Sequence, residues 1–274
     1  MAIHKISQTV SGWACATLAI ESTQLLSEIE KNVGWLLAKS ESQHVSQLAW
    51  AFSVLGRQSP DFFLALEGNL DRFVSGANVQ NLANTCYVMA VLDCIDDNHT
   101  IMLHALWSPL VRMKTTDFQK EHLHQILYVE AAARAGGIPL GDPPPELRTK
   151  LEKLKPTVQS SNFEKQISKR LLELGFDHRR EVSPFEATSG MLSIDMACTD
   201  RKIAIECDGP SHYLTVLDGS GRCVENGSTK AKRRLLQRLG WKVVNLNWEK
   251  AARNHSSKKW LRGKLVDAGV DLRT

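Results

Sequence analysis

Residues 203 to 248 permit few folds. Ile203-Ala204-Ile205-Glu206-Cys207-Asp208 is a short apolar run that ends in acids, as expected of a central strand covered on both faces. A loop follows through Gly209-Pro210-Ser211-His212-Tyr213. A basic helix then runs from about Thr229 to Leu239 and stops at Gly240, and Trp241 to Leu246 forms a return strand. The result is a βαβ unit in which acidic side chains at a strand end lie beside a cationic helix. That pairing serves either nucleic-acid chemistry or nucleic-acid binding.

The chain is long enough for two domains, with 274 residues of which 43% are hydrophobic. Its charge is divided unevenly about Asp142-Pro143-Pro144-Pro145. There are 13 basic and 16 acidic residues up to position 155, and 21 and 14 beyond it, so the halves carry about −3 and +7. A positive bias confined to one half suits a polyanion-binding surface, and a solvated charged face is the alternative. Six cysteines show no CxxC pair and no histidines at finger spacing, which reads as reduced thiols without a zinc module. No stretch has the length of a membrane span and no signal-peptide pattern opens the chain, so neither membrane insertion nor secretion is expected. Met1 runs almost at once into helical pattern without an Arg- and Ser-rich transit segment, as in a fragment or a mature form.

Residues 1–135 repeat. Leu26, Ile29, Val33 and Leu37 recur 37 residues later as Phe63, Leu66, Leu70 and Val74. Leu103, Leu106 and Leu110 follow 40 residues after the first three of these. A second helix alternates with the first: Trp13-Ala14 with Leu18, Trp50-Ala51 with Leu55, Leu82-Ala83 with Val88 and Met89, and more loosely Leu123 to Val129. A helical hairpin of 37 to 40 residues must stack on its neighbours to bury its apolar face, which predicts an α-helical repeat solenoid. Ala49, Ala51, Ala83 and Ala90 favour close helix approach. Such a solenoid binds protein, serves structure, or binds RNA with one helix per repeat facing the bases. Residues 136–156, with Gly136-Gly137 and three prolines, read as a linker.

Residues 157–274 form an α/β domain. Ser160 or Ser161 caps a helix that carries Glu164 in its first turn and ends at Gly175. Glu181 to Phe185 and Met191 to Cys198 are strands preceding Ile203 to Cys207. A last helix, from about Ser256 to Ala268, carries Lys258, Lys259, Arg262 and Lys264.

The run Ile205 to Tyr213, the Lys230-x-Lys232-Arg233-x-Leu235-Leu236 helix and Leu239-Gly240-Trp241-x-Val243-Val244 closely resemble the RAP domain, an RNA-binding module. The resemblance covers about residues 190–262. Members join this domain to upstream helical repeats, as in the Fas-activated serine/threonine kinase family of mitochondrial proteins and the octotricopeptide-repeat proteins. It implies organellar RNA metabolism, in mitochondrion or plastid, covering RNA processing, stability, translation or ribosomal RNA handling. Expected partners are RNA and organellar ribonucleoprotein or ribosomal proteins. The RAP domain in turn looks like a compact restriction-endonuclease-like fold. Active members of that fold hold divalent ions with an acid and a following Glu-x-Lys. Asp195 and Glu206 match the carboxylates and Glu164 the helix acid, but Asp208 stands where the lysine is expected. Lys230 or another cation from the next helix then reaches in, or no cleavage occurs. Asp208 would otherwise be a third Mg²⁺ ligand.

Asp195, Glu206 and Asp208 are therefore the candidate catalytic and metal residues if the protein is a nuclease, although no cofactor is required by the binding reading. The competing role is a salt bridge from Glu206 or Asp208 to Lys230, Lys232 or Arg233. His212, Lys230, Lys232, Arg233, Arg234, Lys258 and Lys259 are the candidate nucleic-acid contacts, the helix N-terminus itself favouring phosphate. Tyr213, Trp241 and Trp248 have the chemistry to stack bases, with Trp241 placed for the core instead.

Overall fold

A computed structural model describes residues 14, 16–154, 160–184 and 192–271. Expectations attached to Trp13, Cys15, Lys155-Pro156, Phe185 and Met191 lie outside the described residues. In chain order the helices are α1 (Thr23–Lys39), α2 (Ser42–Leu55), α3 (Pro60–Glu67), α4 (Leu70–Gly76), α5 (Val79–Val91), α6 (Thr100–Val111), α7 (Lys120–Gly136), α8 (Pro145–Glu152), α9 (Asn162–Glu173), α10 (Gly227–Arg238), α11 (Trp248–Arg253) and α12 (Lys258–Asp267). The strands are β1 (Ile20–Glu21), β2 (Arg179–Val182), β3 (Ile194–Cys198), β4 (Ile203–Asp208), β5 (Tyr213–Val216), β6 (Cys223–Glu225) and β7 (Lys242–Asn247). The chain divides into two compact units, residues 1–153 with 213–231 and residues 154–212 with 232–274.

The first unit is built of helix pairs. The periodic residues Leu26, Ile29, Val33, Leu37, Phe63, Leu66, Leu103, Leu106 and Leu110 are buried, as the repeat requires, whereas Leu70 and Val74 are half-buried and Leu18 is exposed. The recurring helix is continuous in α1 and α6 but broken in the middle copy into α3 and α4. Gly68 and Asn69 are the cause: glycine is a poor helix former, and the Asn69 amide donates to the Ala65 carbonyl at 2.8 Å. The alternating helices α2, α5 and α7 pack side by side, α1 packs on α3, and α6 packs on α4 and α5. Buried Ala49, Ala51, Ala83 and Ala90 lie on α2 and α5 and let this layer close tightly.

Two segments differ from the sequence reading. The stretch 136–156 read as linker holds α8. Pro144 and Pro145 fall at its N-cap and first turn, where a missing N–H costs nothing and the fixed φ suits the helix. Arg148 then forks onto Glu130 of α7 at 2.7 and 3.1 Å, and Lys150 donates to the carbonyls of Thr115 and Phe118. Residues 213–226, read as a loop, form the antiparallel pair β5 and β6, to which β1 adds in parallel. Gly227 follows at the start of α10, where a Cβ would lie 1.7 Å from the Ser53 carbonyl oxygen, so only glycine fits.

The second unit is a four-stranded sheet of order β2-β3-β4-β7. The first three strands are antiparallel in sequence, and β7 joins β4 in parallel from Ile203↔Lys242 to Asp208↔Asn247. Ser161 and Glu164 make the capping box of α9, and Gly175 takes the left-handed conformation just past its end. One sheet face packs Met196, Ile203, Ile205, Cys207, Val244 and Leu246 against Ile167 and Leu171 of α9 and Leu261 and Leu265 of α12. The other packs Ala197, Ala204 and Val243 against Leu236 and Trp241, so Trp241 is core. At the amino ends of β4 and β7, Lys202 donates to the Leu239 carbonyl, Lys242 to Gly269 and Arg201 to Asp271. Three of the basic residues behind the charge asymmetry thus bond backbone carbonyls, two of them just past the ends of α10 and α12.

Candidate nucleic-acid interface and strand-end acidic site

Alternation along β4 turns Ala204, Glu206 and Asp208 to the α10 side of the sheet, and the parallel register sets Asn245 beside Glu206 and Asn247 beside Asp208. This face is therefore apolar at the amino end of β4 and polar at its carboxyl end. Glu206 and Asp208 are 3% and 1% exposed, which demands partners for both. Lys232 of α10 donates to Glu206 Oε2. Asp208 Oδ2 accepts from the Asn245 amide at 2.8 Å, and His212 Nδ1 lies 3.2 Å from its other oxygen. Asp195 accepts the Cys207 backbone N–H at 2.7 Å. Glu206 Oε1 is buried without a hydrogen-bond partner among the described residues.

Burial dominates the electrostatics. It pushes the Glu206 carboxyl up to about 8 against the pull of Lys232, and Asp195 and Asp208 push the same way. Burial likewise raises Asp195 despite Lys232 and the Cys207 N–H. Burial works to lower the Lys232 ammonium, but the summed attraction of Glu206, Asp195 and Asp208 outweighs it and holds the charge in place. The cluster is a half-buried cation set among carboxylates, one of which keeps its proton near neutrality.

This arrangement decides how the acids fit a divalent ion. Each of the three carboxylates already gives an oxygen to a protein donor, and among the described residues no three His, Cys, Asp or Glu side chains converge to hold a metal ion. Glu164, the expected helix acid, is committed to its capping box, with Arg180 at 3.7 Å from its other oxygen. The residues do not fit an Mg²⁺ site as they stand.

Lys232, grouped by sequence with the phosphate-contacting cations, is turned toward the sheet instead, where it donates to buried Glu206. Lys230, Arg233 and Arg234 are half-buried on α10, and His212 is held against Asp208. The freely accessible basic surface lies elsewhere. Lys258, Lys259 and Arg262 of α12 are exposed, as are Lys165, Lys169 and Arg170 of α9, and Lys258 lies 3.1 Å from Glu173. Both helices cover the same sheet face, so their outer sides make one basic layer. The α9 contribution escaped the sequence reading, which followed only that helix's apolar stripe. Positions 165 and 169 fall opposite Ile167 and Leu171, with Arg170 at the edge of the apolar stripe, and that phase was the available signal. Tyr213 is half-buried in β5, and Trp248 is exposed at the start of α11.

Residues 205–260 match the family model of the RAP domain. The chain is also similar to a RAP domain-containing protein, chloroplastic, of Oryza sativa subsp. japonica, at 29% identity over 106 residues. That match spans 38% of this chain and only 15% of the rice protein.

Proposed function

We propose that this chain, which carries a RAP domain over residues 205–260 downstream of helical repeats, is a non-catalytic RNA-binding factor of organellar RNA metabolism. The observation that carries the reading is the RAP match over residues 205–260, which ends in the first turn of α12, the helix that forms a basic layer with α9. Cations on a helical surface neutralise backbone phosphates without reading sequence, and their affinity falls steeply with salt. The cluster on the opposite face of that sheet then serves as a structural polar core, with Lys232 donating to Glu206 and its charge held by the surrounding carboxylates. The compartment we infer is the plastid, since the rice relative is named chloroplastic; nothing in the comparisons favours the mitochondrion that the resemblance put first. RNA processing, stability, translation and ribosomal RNA handling, with ribonucleoprotein partners, are the processes this reading covers.

The restriction-endonuclease-like likeness remains part of the proposal, supported by the mixed sheet with β4 and β7 parallel and Glu206 and Asp208 at the carboxyl end of β4. One observation favours the endonuclease alternative: Lys232 brings beside Glu206 the positive charge that Asp208 cannot supply.

The test is fluorescence anisotropy of single-stranded RNA and DNA with the full chain at two salt concentrations, comparing the Lys259→Ala/Arg262→Ala variant. Binding that weakens with salt, and a salt slope shallower by about 1.4 in the double variant, supports the reading. Absence of RNA binding at low salt refutes it.

A further inference from the structure

Several cations of the helical unit are committed within the fold. Arg57 forks onto Glu30 at 2.7 and 3.1 Å, Arg148 forks onto Glu130, and Arg72 donates to the Leu37 and Ser40 carbonyls. Arg112, at the end of α6, and Lys114, two residues on, differ from these. Both are exposed, and among the described residues neither side chain makes an ion pair or a hydrogen bond. Both line a cavity of about 620 Å³, together with Asn78, Gln80 and Gln119, and Asp117 is the one acid among its lining residues.

Three helix ends frame this cavity. Asn78 and Gln119 are the N-cap residues of α5 and α7, and Arg112 is the C-cap of α6. The amino ends of α5 and α7, helices of 13 and 17 residues, add partial positive charge to that of the two cations, offset in part by the carboxyl end of α6. Two lining side chains are committed to the caps. Asn78 Oδ1 accepts the Asn81 N–H at 3.0 Å, and His122 Nδ1 accepts the Gln119 N–H at 3.2 Å. Gln80 is exposed, and its amide is uncommitted among the described residues.

The volume lies in the range of small-molecule sites, and the lining sets the class of molecule. A guanidinium and an ammonium together match a dianionic phosphate, one as a fork and the other as a point charge. An amide both donates and accepts, as a hydroxyl-rich ligand requires. No phenylalanine, tyrosine or tryptophan lines the cavity, so a nucleobase finds no ring to stack on. We propose that this cavity binds a small phosphorylated sugar, with its phosphate on Arg112 and Lys114 and a hydroxyl on the Gln80 amide. The occupant ties together the ends of α5, α6 and α7 and stabilises the helical unit by linkage. The site is separate from the basic layer of α9 and α12 and does not depend on the RNA-binding reading.

The experiment titrates glucose 6-phosphate and ribose 5-phosphate into the full chain by isothermal calorimetry, with glucose and inorganic phosphate in parallel. The proteins are wild type, Arg112→Gln/Lys114→Gln, Gln80→Ala and Arg134→Gln, an exposed position outside the cavity. Thermal melting without ligand confirms the fold of each. At least one sugar phosphate should bind saturably, glucose should not bind, and inorganic phosphate should bind on the order of tenfold more weakly. The double variant should weaken sugar-phosphate binding by about tenfold or more. Gln80→Ala should weaken it severalfold without changing inorganic phosphate, and Arg134→Gln should match wild type. In the bound protein, hydrogen exchange should slow at the first turns of α5 and α7. No binding of either sugar phosphate at millimolar concentration overturns the proposal, as does undiminished binding by the double variant. Inorganic phosphate binding as tightly as the sugar phosphates overturns the assignment to a sugar. Capture of 5′-phosphorylated RNA by these residues, with neither sugar phosphate bound, overturns it as well.

Discussion

Glu206 gives the sharpest quantitative handle on the buried cluster. Its carboxyl is pushed from 4.5 to about 8 in the folded protein, chiefly by burial. The fold therefore binds a proton there that the unfolded chain releases above about pH 4.5. Stability from this group is fully present below that pH and is lost as pH rises through about 8. At about 1.4 kcal/mol per pH unit the gap corresponds to on the order of 5 kcal/mol. Water reaching the carboxyl as the protein relaxes brings the expected loss to about 2–5 kcal/mol between pH 5 and 9. Asp195, raised in the same direction, adds to it. Glu206→Gln keeps the shape and an acceptor for Lys232 but cannot ionise. The assay is urea unfolding of both proteins at half-unit steps from pH 5 to 9, followed by tryptophan fluorescence. The wild-type midpoint should fall with pH while that of Glu206→Gln stays much flatter, so that the variant becomes the more stable above about pH 8. Parallel curves would refute the reasoning, since they would show that Glu206 ionises as freely in the fold as outside it.

Other consequences follow from the same geometry. Lys232→Met strips the cluster of its cation and should cost about 3–5 kcal/mol at pH 9, less at pH 6, where Glu206 carries its own proton. Adding Glu206→Leu should recover most of that loss in the same urea titration. Gly227→Ala places a methyl 1.7 Å from the Ser53 carbonyl oxygen and should lower stability by about 3 kcal/mol, seen as a drop of several degrees in Tm. Arg148→Ala removes the fork that ties α8 to Glu130 and should cost about 1 kcal/mol, with faster hydrogen exchange confined to α8.

The sequence made the βαβ unit legible because its signals were local: a short apolar run, a glycine stop and a second apolar run. Ser161 with Glu164 and Gly175 likewise announced α9 from end to end. The strands β5 and β6 were not legible, since each is short and is held by pairing, including with β1 nearly two hundred residues earlier in sequence. The α8 helix was hidden by its own prolines, which stop a helix in its interior but start one at its first turn. The site residues divide in the same way. That Asp195, Glu206 and Asp208 share the carboxyl end of β4 and its neighbours follows from strand spacing. Which cation answers them depends on helix phase: Lys232 turns inward, while Lys230, two residues earlier, has a different direction. The basic layer of α9 and α12 needed the tertiary packing of two helices distant in sequence.

The central claim, that the protein binds RNA and leaves it intact, is tested most directly by incubating the full chain with end-labelled single-stranded RNA, with and without Mg²⁺. Each sample is run on both native and denaturing gels. The account predicts a salt-sensitive shifted complex whose RNA is full length under all conditions. Mg²⁺-dependent fragments that disappear in Glu206→Gln and Asp208→Ala would contradict it and make the strand-end acids catalytic.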